Sequence, residues 1–173
     1  MRLNPAWIFL LLMAVAVAFV VNTIPALPVL VATHFGFDGA PNGFATRDQY
    51  RIFILVLLIG LPALIAGTLI WLPKAYPTSL NIPHRDYWLA PQRASETYAF
   101  LRGHGFRLGS LLVWLIVGVH WLVLEANKTR PVHLPSGTLT LVLPLFLAGI
   151  ALWIGALLMR FRKPPEPPFG RGL

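Results

Sequence analysis

Between Arg51 and Lys74 the chain reads IFILVLLIGLPALIAGTLIWLP, residues 52–73, with no charged side chain. A bilayer core about 30 Å thick is crossed by about 20 apolar helical residues. This run therefore predicts a membrane-spanning helix. Three further blocks read the same way. Residues 6–33 are uncharged, residues 108–124 lie between Arg107 and Glu125, and residues 139–159 are closed by Arg160. Each block is apolar all round. An interfacial helix keeps a polar stripe, and a helix surrounded by lipid does not.

Composition agrees. Of 173 residues, 57% are hydrophobic and 12% charged, and the mean hydropathy is +0.70. Soluble domains carry about 25% charged residues, so this chain lacks the means to cover a water-facing surface. A soluble globular enzyme and a disordered chain are both excluded. The net charge of +8 is spread between apolar blocks, which reads as a topology signal and not as a nucleic-acid surface. The absence of cysteine removes disulfides, thiolate nucleophiles, Cys-ligated zinc and iron–sulfur clusters.

The first block is longer than one crossing and contains Asn22, Pro25 and Pro28 near its end. Proline lacks a donor and disfavours helix in the residue before it. The first transmembrane helix is therefore placed at residues 1–23, followed by an extended or kinked exit. Arg2 alone precedes it and no good A-x-A site follows, so the block is expected to be retained as a span. The remaining segments are a Gly/Pro loop at 24–51 and the second span at 52–73. A loop at 74–107 with a short helix leads to the third span at 108–124. A loop at 125–138, the fourth span at 139–159 and a basic, proline-rich tail at 160–173 complete the chain. Pro62 and Pro144 fall inside spans, where neighbouring helices can satisfy the freed carbonyls. Ala63/Gly67 and Ala151/Gly155 form small-xxx-small pairs, which permit close helix approach in the bundle or in a dimer.

Lys and Arg assign ten charges to the N-terminal tail, the 74–107 loop and the C-terminal tail together, against four for the other two loops. The side richer in these residues is cytoplasmic. Both ends are then inside, Trp7, Trp71 and Tyr76 lie near the inner interface, and Trp121 lies nearer the outer one. In the 74–107 loop, Pro91 suits a helix first turn and Gly103 a helix end. Ala94, Thr97, Tyr98 and Leu101 share a face between them. This predicts a short amphipathic helix on the inner membrane surface or under the bundle. The tail Lys163-Pro-Pro-Glu-Pro-Pro168 reads as a polyproline segment.

The outer loop is the most distinctive stretch: Leu27-Pro28, then Ala32-Thr33-His34-Phe35-Gly36-Phe37-Asp38-Gly39-Ala40-Pro41-Asn42-Gly43-Phe44, then Arg47. Gly36, Gly39 and Gly43 allow positive φ, and Pro41 stiffens a turn, so a compact, specified loop is expected. These residues resemble the bacterial membrane family known as domain of unknown function 1648. That family places Leu-Pro, a His-Phe step, Gly-x-Pro-Asp-x-Trp and a basic residue between two spans. Asn42 and Phe44 stand where it commonly has Asp and Trp. The run Asn81-Ile82-Pro83-His84-Arg85-Asp86-Tyr87-Trp88-Leu89-Ala90-Pro91 also resembles family members, with His84 and Gln92 as departures, and extends the resemblance over residues 24–103. Some members are fused to the SdpI-type immunity and signalling domain, which protects against a secreted toxic peptide. An immunity role is what the resemblance implies.

Histidines 34, 84, 104, 120 and 133 are the proton-handling or metal-ligating candidates. His34 and His133 are expected outside, and His84 and His104 inside. His120 lies within the third span, where an ionisable residue suggests function. The plainer account is a structural hydrogen bond to Asn22 or to a proline-freed carbonyl. His34, His120 and His133, with Asp38 or Glu125, are weak candidates for a metal site, since no pair has tight ligand spacing. No phosphate loop, nucleophile elbow or His-Glu-x-x-His helix occurs.

Together these readings predict an all-α integral membrane protein of four transmembrane helices, with both termini inside, in a bacterial cytoplasmic (inner) membrane. No catalysis, resident metal or cofactor is expected. The first functional reading is an accessory subunit or an immunity or signalling protein acting through contacts. Its partners are the bilayer and a membrane protein or a second copy, and not nucleic acid. The candidate recognition residues are His34, Phe35, Asp38, Gly39, Pro41, Asn42, Gly43 and Arg47 in the outer loop. Asp86, Tyr87, Trp88 and Pro91 form a cytoplasmic motif. A small transporter or channel with a path near His120, Asn22 and Ser110 is the first alternative. An outward-facing His metal site is the second.

Overall fold

The computed structural model describes residues 4–134 and 136–162, with only the backbone at 136–140. Arg2 and the polyproline stretch 163–168 lie outside the described residues. Helix α1 spans Pro5–Thr23. It begins where Asn4 accepts a hydrogen bond from the Ala6 amide (3.0 Å) and Pro5 occupies the first turn. It gives way to a 3-10 turn at Ile24–Ala26, where the prolines predict a stop. A hairpin of β1 (Leu30–Phe35) and β2 (Pro41–Thr46) follows, then α2 (Arg47–Ala75) and a short α3 (Arg85–Trp88). Helices α4 (Ala94–Lys128) and α5 (Ser136–Arg160) complete the order. Among the described residues, α1, α2, α4 and α5 are the four helices long and apolar enough to cross a membrane. The chain is a multi-pass membrane protein, mostly helical.

The all-α expectation needs one correction. The loop after α1 is an antiparallel hairpin, with Leu30 opposite Thr46 and Phe35 opposite Pro41, and a bulge at Thr33. Pro25 and Pro28 stop helix there, and the β-branched Val29, Val31 and Thr33 suit extended backbone. Only Gly39 of the three loop glycines has positive φ (+79°). It closes the turn, where the Gly36 amide bonds the Ala40 carbonyl at 2.9 Å. Gly43 lies in the strand, against the Cβ of His34 across the ladder.

Two helices are longer than the apolar blocks. Helix α2 starts at Arg47 because Thr46 and Gln49 form a reciprocal capping box: Thr46 Oγ1 accepts from the Gln49 amide, and Gln49 Oε1 from the Thr46 amide. Arg47 and Arg51 therefore sit on its first turns and not in a loop. Helix α4 has 35 residues, or about 52 Å at 1.5 Å per residue, well beyond the hydrocarbon core. The separate short helix ending at Gly103 does not form. The segment after Ala94 is the basic end of the third span itself, and Pro91 lies in the turn before it, not in its first turn. Glycine in a helix interior costs about 1 kcal/mol, which close packing against α2 offsets. A Cβ on Gly105 would stand 3.2 Å from the Ala66 carbonyl oxygen.

Helix α4 is the centre of the bundle. The buried stripe of α2 is Tyr50, Ile54, Leu58, Pro62 and Ala66, a strict every-fourth pattern facing α4. Phe9, Ala16 and Val20 of α1 join Val113, Ile116 and Val123 of α4 in the same core. The stripe leaves Ala63 and Gly67 exposed, and no atom lies within 4 Å of a Cβ built on Gly67 or Gly155. The two small-residue pairs therefore make no close approach within this chain, because each is rotated off the packed stripe. Pro5 lies beside Gly103, and Phe161 meets Trp88 and Phe100 edge-to-face. The two ends of the described chain thus meet at the basic end of the bundle, and the hairpin caps the other.

The contact that makes this packing possible is Gly109, where a Cβ would come 2.8 Å from the Phe9 ring and 3.2 Å from Ala66. Gly109→Val is expected to cost about 1–3 kcal/mol through overpacking, read as a lowered unfolding temperature in detergent. Gly60→Ala, with nothing within 4 Å, is the control and should not lower that temperature, since alanine is the better helix former. Equal behaviour of the two variants would contradict the packing described.

Candidate functional site

The hairpin stands on a polar anchor. Asn127, near the end of α4, is 5% exposed and accepts the Ala32 amide at 3.0 Å. It returns its own N–H to the Ala32 carbonyl (2.9 Å) and to the Val123 carbonyl (2.8 Å). One side chain thus satisfies both backbone groups of a buried strand residue that has no water to turn to. Arg47 adds its backbone amide to the Val29 carbonyl (3.0 Å) and its Nε to the Pro28 carbonyl (3.4 Å). This places Arg47 at the hairpin's base, half-buried.

Two turns of α4 below Asn127, His120 is fully buried and joins three helices. Its Nε2 lies 2.8 Å from Thr23 Oγ1 and its Nδ1 2.8 Å from the Tyr50 hydroxyl. Thr23 has a single hydroxyl hydrogen, which the Phe19 carbonyl takes at 2.7 Å. Thr23 Oγ1 therefore accepts from His120, so the ring carries its proton on Nε2. Tyr50 then donates to Nδ1. The result is a directed chain of hydrogen bonds from Tyr50 through His120 and Thr23 to Phe19. The Phe19 ring meets the imidazole edge-on and the Tyr50 ring stacks on it, both with centroids at 5.8 Å. Asn22 is not a partner: it is exposed and donates to the Ala18 carbonyl of its own helix (2.7 Å). Ser110 donates to the Phe106 carbonyl at 3.0 Å. It lies ten residues from His120, or about 15 Å along α4. The three residues expected to line a path are not brought together.

Between the hairpin and α4 lies an open cleft of about 700 Å³. Its floor is Val119, Leu122 and Val123, and its rim carries His34, Asp38, Asn42 and His133. His133 donates Nε2–H to the Asp38 carbonyl (2.8 Å), and the Leu134 amide bonds the Gly39 carbonyl (2.9 Å). The loop after α4 is thereby stitched to the hairpin turn. A side chain at Gly39 would collide with the His133 ring, which is the second reason for glycine there. His34 donates Nδ1–H to Asn42 Oδ1. An aspartate at that position would share a charge with the imidazole; asparagine only orients it. Phe35, Pro41 and Gly43 serve as strand and turn residues. Phe37, at the hairpin tip, is fully exposed.

Among the described residues, no group of three or more His, Asp or Glu side chains is placed to hold a metal ion. His34, His120 and His133 each bond a different partner, and Glu125 pairs with Lys128 at 2.6 Å. At the basic end the Asp86-Tyr87-Trp88 motif is largely structural. Trp88 accepts from Thr97 Oγ1 (2.8 Å) through its carbonyl, Arg93 stacks on Tyr87 at 3.8 Å, and Arg160 covers the Trp88 ring at 4.5 Å. Asp86 stays in solvent, 3.5 Å from Arg85.

Sequence reading gave no role to Thr23, Tyr50 or Asn127, and did not single out Phe37 within the outer loop. The available signal was spacing: His120 and Asn127 are seven apart and so share a helix face. Asn127→Leu should free the hairpin while sparing the bundle, at a cost of about 1–3 kcal/mol for the orphaned backbone pair. Hydrogen exchange should show lost protection at residues 30–35 with α1 and α2 unchanged. Retained protection there would contradict the anchor.

No curated protein and no solved structure matches the chain. Residues 8–60 match the family model described as domain of unknown function (DUF1648). The match starts earlier than the motif resemblance, inside α1, and stops within α2, before the Asp86-Tyr87-Trp88 run. It takes in most of α1, the whole hairpin and the first half of α2, and this is the segment in which the chain is similar to that family.

Proposed function

We propose that this protein is a non-catalytic component of a bacterial inner membrane, with both termini in the cytoplasm, that acts by presenting its hairpin to another polypeptide. The observation that carries the reading is Phe37. A bare aromatic at the tip of a hairpin has no folding role, yet the turn behind it is held by Asn127, His133 and Gly39. Interfaces favour aromatic anchors on preorganised supports. The cleft beneath the tip pairs an apolar floor with a polar rim, which suits a side chain of a bound partner. A role through contacts is further supported by the rim: His34 and His133 each use a ring nitrogen in a hydrogen bond that holds the hairpin, and among the described residues Asp38 is the one carboxylate lining the cleft. The role is that of an accessory subunit, or of an immunity or signalling protein as the family resemblance implies. The positive-inside distribution supports placing the hairpin on the outer side.

A photo-crosslinking residue at position 37, activated in living cells, should give a discrete protein adduct. The same residue at Val56, exposed on the middle of α2, should not. Identical patterns from the two positions, or none from position 37, would refute the hairpin as the recognition element.

A further inference from the structure

At the basic end, an open cleft of about 800 Å³ runs along α4 between α1 and α5. Its walls are apolar, with Ile8, Leu111, Trp114 and Leu152 prominent, and Arg107 stands at its mouth. A smaller recess, lined by Arg102 and Asn4, shares Pro5, Phe100 and Arg107 with it. From Phe100 to Trp114 the cleft follows α4 for about 21 Å, close to the depth of one leaflet with its headgroup.

His104 supplies the second observation. It lines the cleft, is 2% exposed, and is sandwiched between Phe100 (5.1 Å) and Trp153 (4.3 Å). Its backbone carbonyl accepts the Trp153 indole N–H at 3.0 Å, but neither ring nitrogen has a hydrogen-bond partner. The other buried imidazole, His120, has both nitrogens bonded. A buried polar ring without a partner is costly where water is scarce.

We propose that this cleft binds one anionic phospholipid, its phosphate held by Arg107 with Arg102 beside it, His104 supplying a donor, and an acyl chain on the apolar wall. Charge decides the headgroup: basic pockets between spans attract anionic lipid, and each basic residue near the surface contributes about 1 kcal/mol. The assignment does not depend on what the hairpin binds.

The test uses the whole protein in detergent micelles doped with phosphatidylglycerol or phosphatidylcholine, read by native mass spectrometry and thermal unfolding. Wild type should retain one phosphatidylglycerol in preference to phosphatidylcholine and unfold at a higher temperature with it. Arg107→Gln, an exposed site that should not affect folding, is expected to lower that preference about fivefold. Arg162→Gln, outside the cleft, should not. His104→Phe should reduce lipid retention further. Equal retention of the two lipids, or an Arg107→Gln variant indistinguishable from wild type, would reduce the cleft to ordinary annular lipid and overturn the proposal. Stabilisation by inorganic phosphate alone would overturn the lipid as the source of the phosphate.

Discussion

A buried polar group has no water to fall back on, and two of those that α4 buries, seven residues apart on one face, are answered by other elements. His120 and Asn127 sit at the meeting points of the other elements, so satisfying them fixes where those elements go. His120 binds α1 through Thr23 and α2 through Tyr50. Asn127 binds the first strand through both backbone groups of Ala32. Interhelical hydrogen bonds in membranes average only about 0.6 kcal/mol, so their value is less in energy than in register. Apolar stripes tolerate sliding and rotation; a histidine with one donor and one acceptor does not.

The two ends of the bundle use that register differently. At one end it supports a hairpin whose turn is stitched to the loop after α4 and whose tip exposes Phe37. At the other, Gly105 and Gly109 let α2 and α1 close on α4, while α5, held to α4 by Trp153 on His104, leaves the cleft between itself and α1 open. There Arg93 and Arg160 spread over the Tyr87 and Trp88 rings, so that basic charge and aromatic surface form one layer. The hairpin and the basic aromatic layer are therefore separated by the length of the spans, with α4 running through both.

The four spans were readable because lipid imposes a composition that no other solvent does, and blocks such as 52–73 satisfy it without exception. The end of α1 was readable for a similar reason, as Pro25 and Pro28 act through their own covalent geometry. What eluded sequence reading depends on distant partners. The stretch after α1 reads as an extended exit and a compact loop, but its strand pairing emerges only where Val31 finds Ala45 across the ladder. Gly103 reads as a helix end, but α2 packs against the turn that follows and carries α4 through. His120 was visible as an intramembrane polar residue, but its partners were not. Thr23 and Tyr50 lie 97 and 70 residues away in sequence, and nothing local marks them apart from other hydroxyl residues. Asn42 shows the limit of motif reading from the other side: its place in the pattern was evident, and its hydrogen bond to His34 was not.

The chain contains no cysteine, so single thiols can be introduced without background. The decisive measurement is labelling of Phe37→Cys and Ser79→Cys in intact bacterial cells with a membrane-impermeant maleimide. The expected result is modification of Phe37→Cys in intact cells, and of Ser79→Cys only after the membrane is permeabilised. Modification of Ser79→Cys in intact cells, or of both sites from the same side, would contradict a bundle that holds its hairpin and its basic layer on opposite faces of the bilayer.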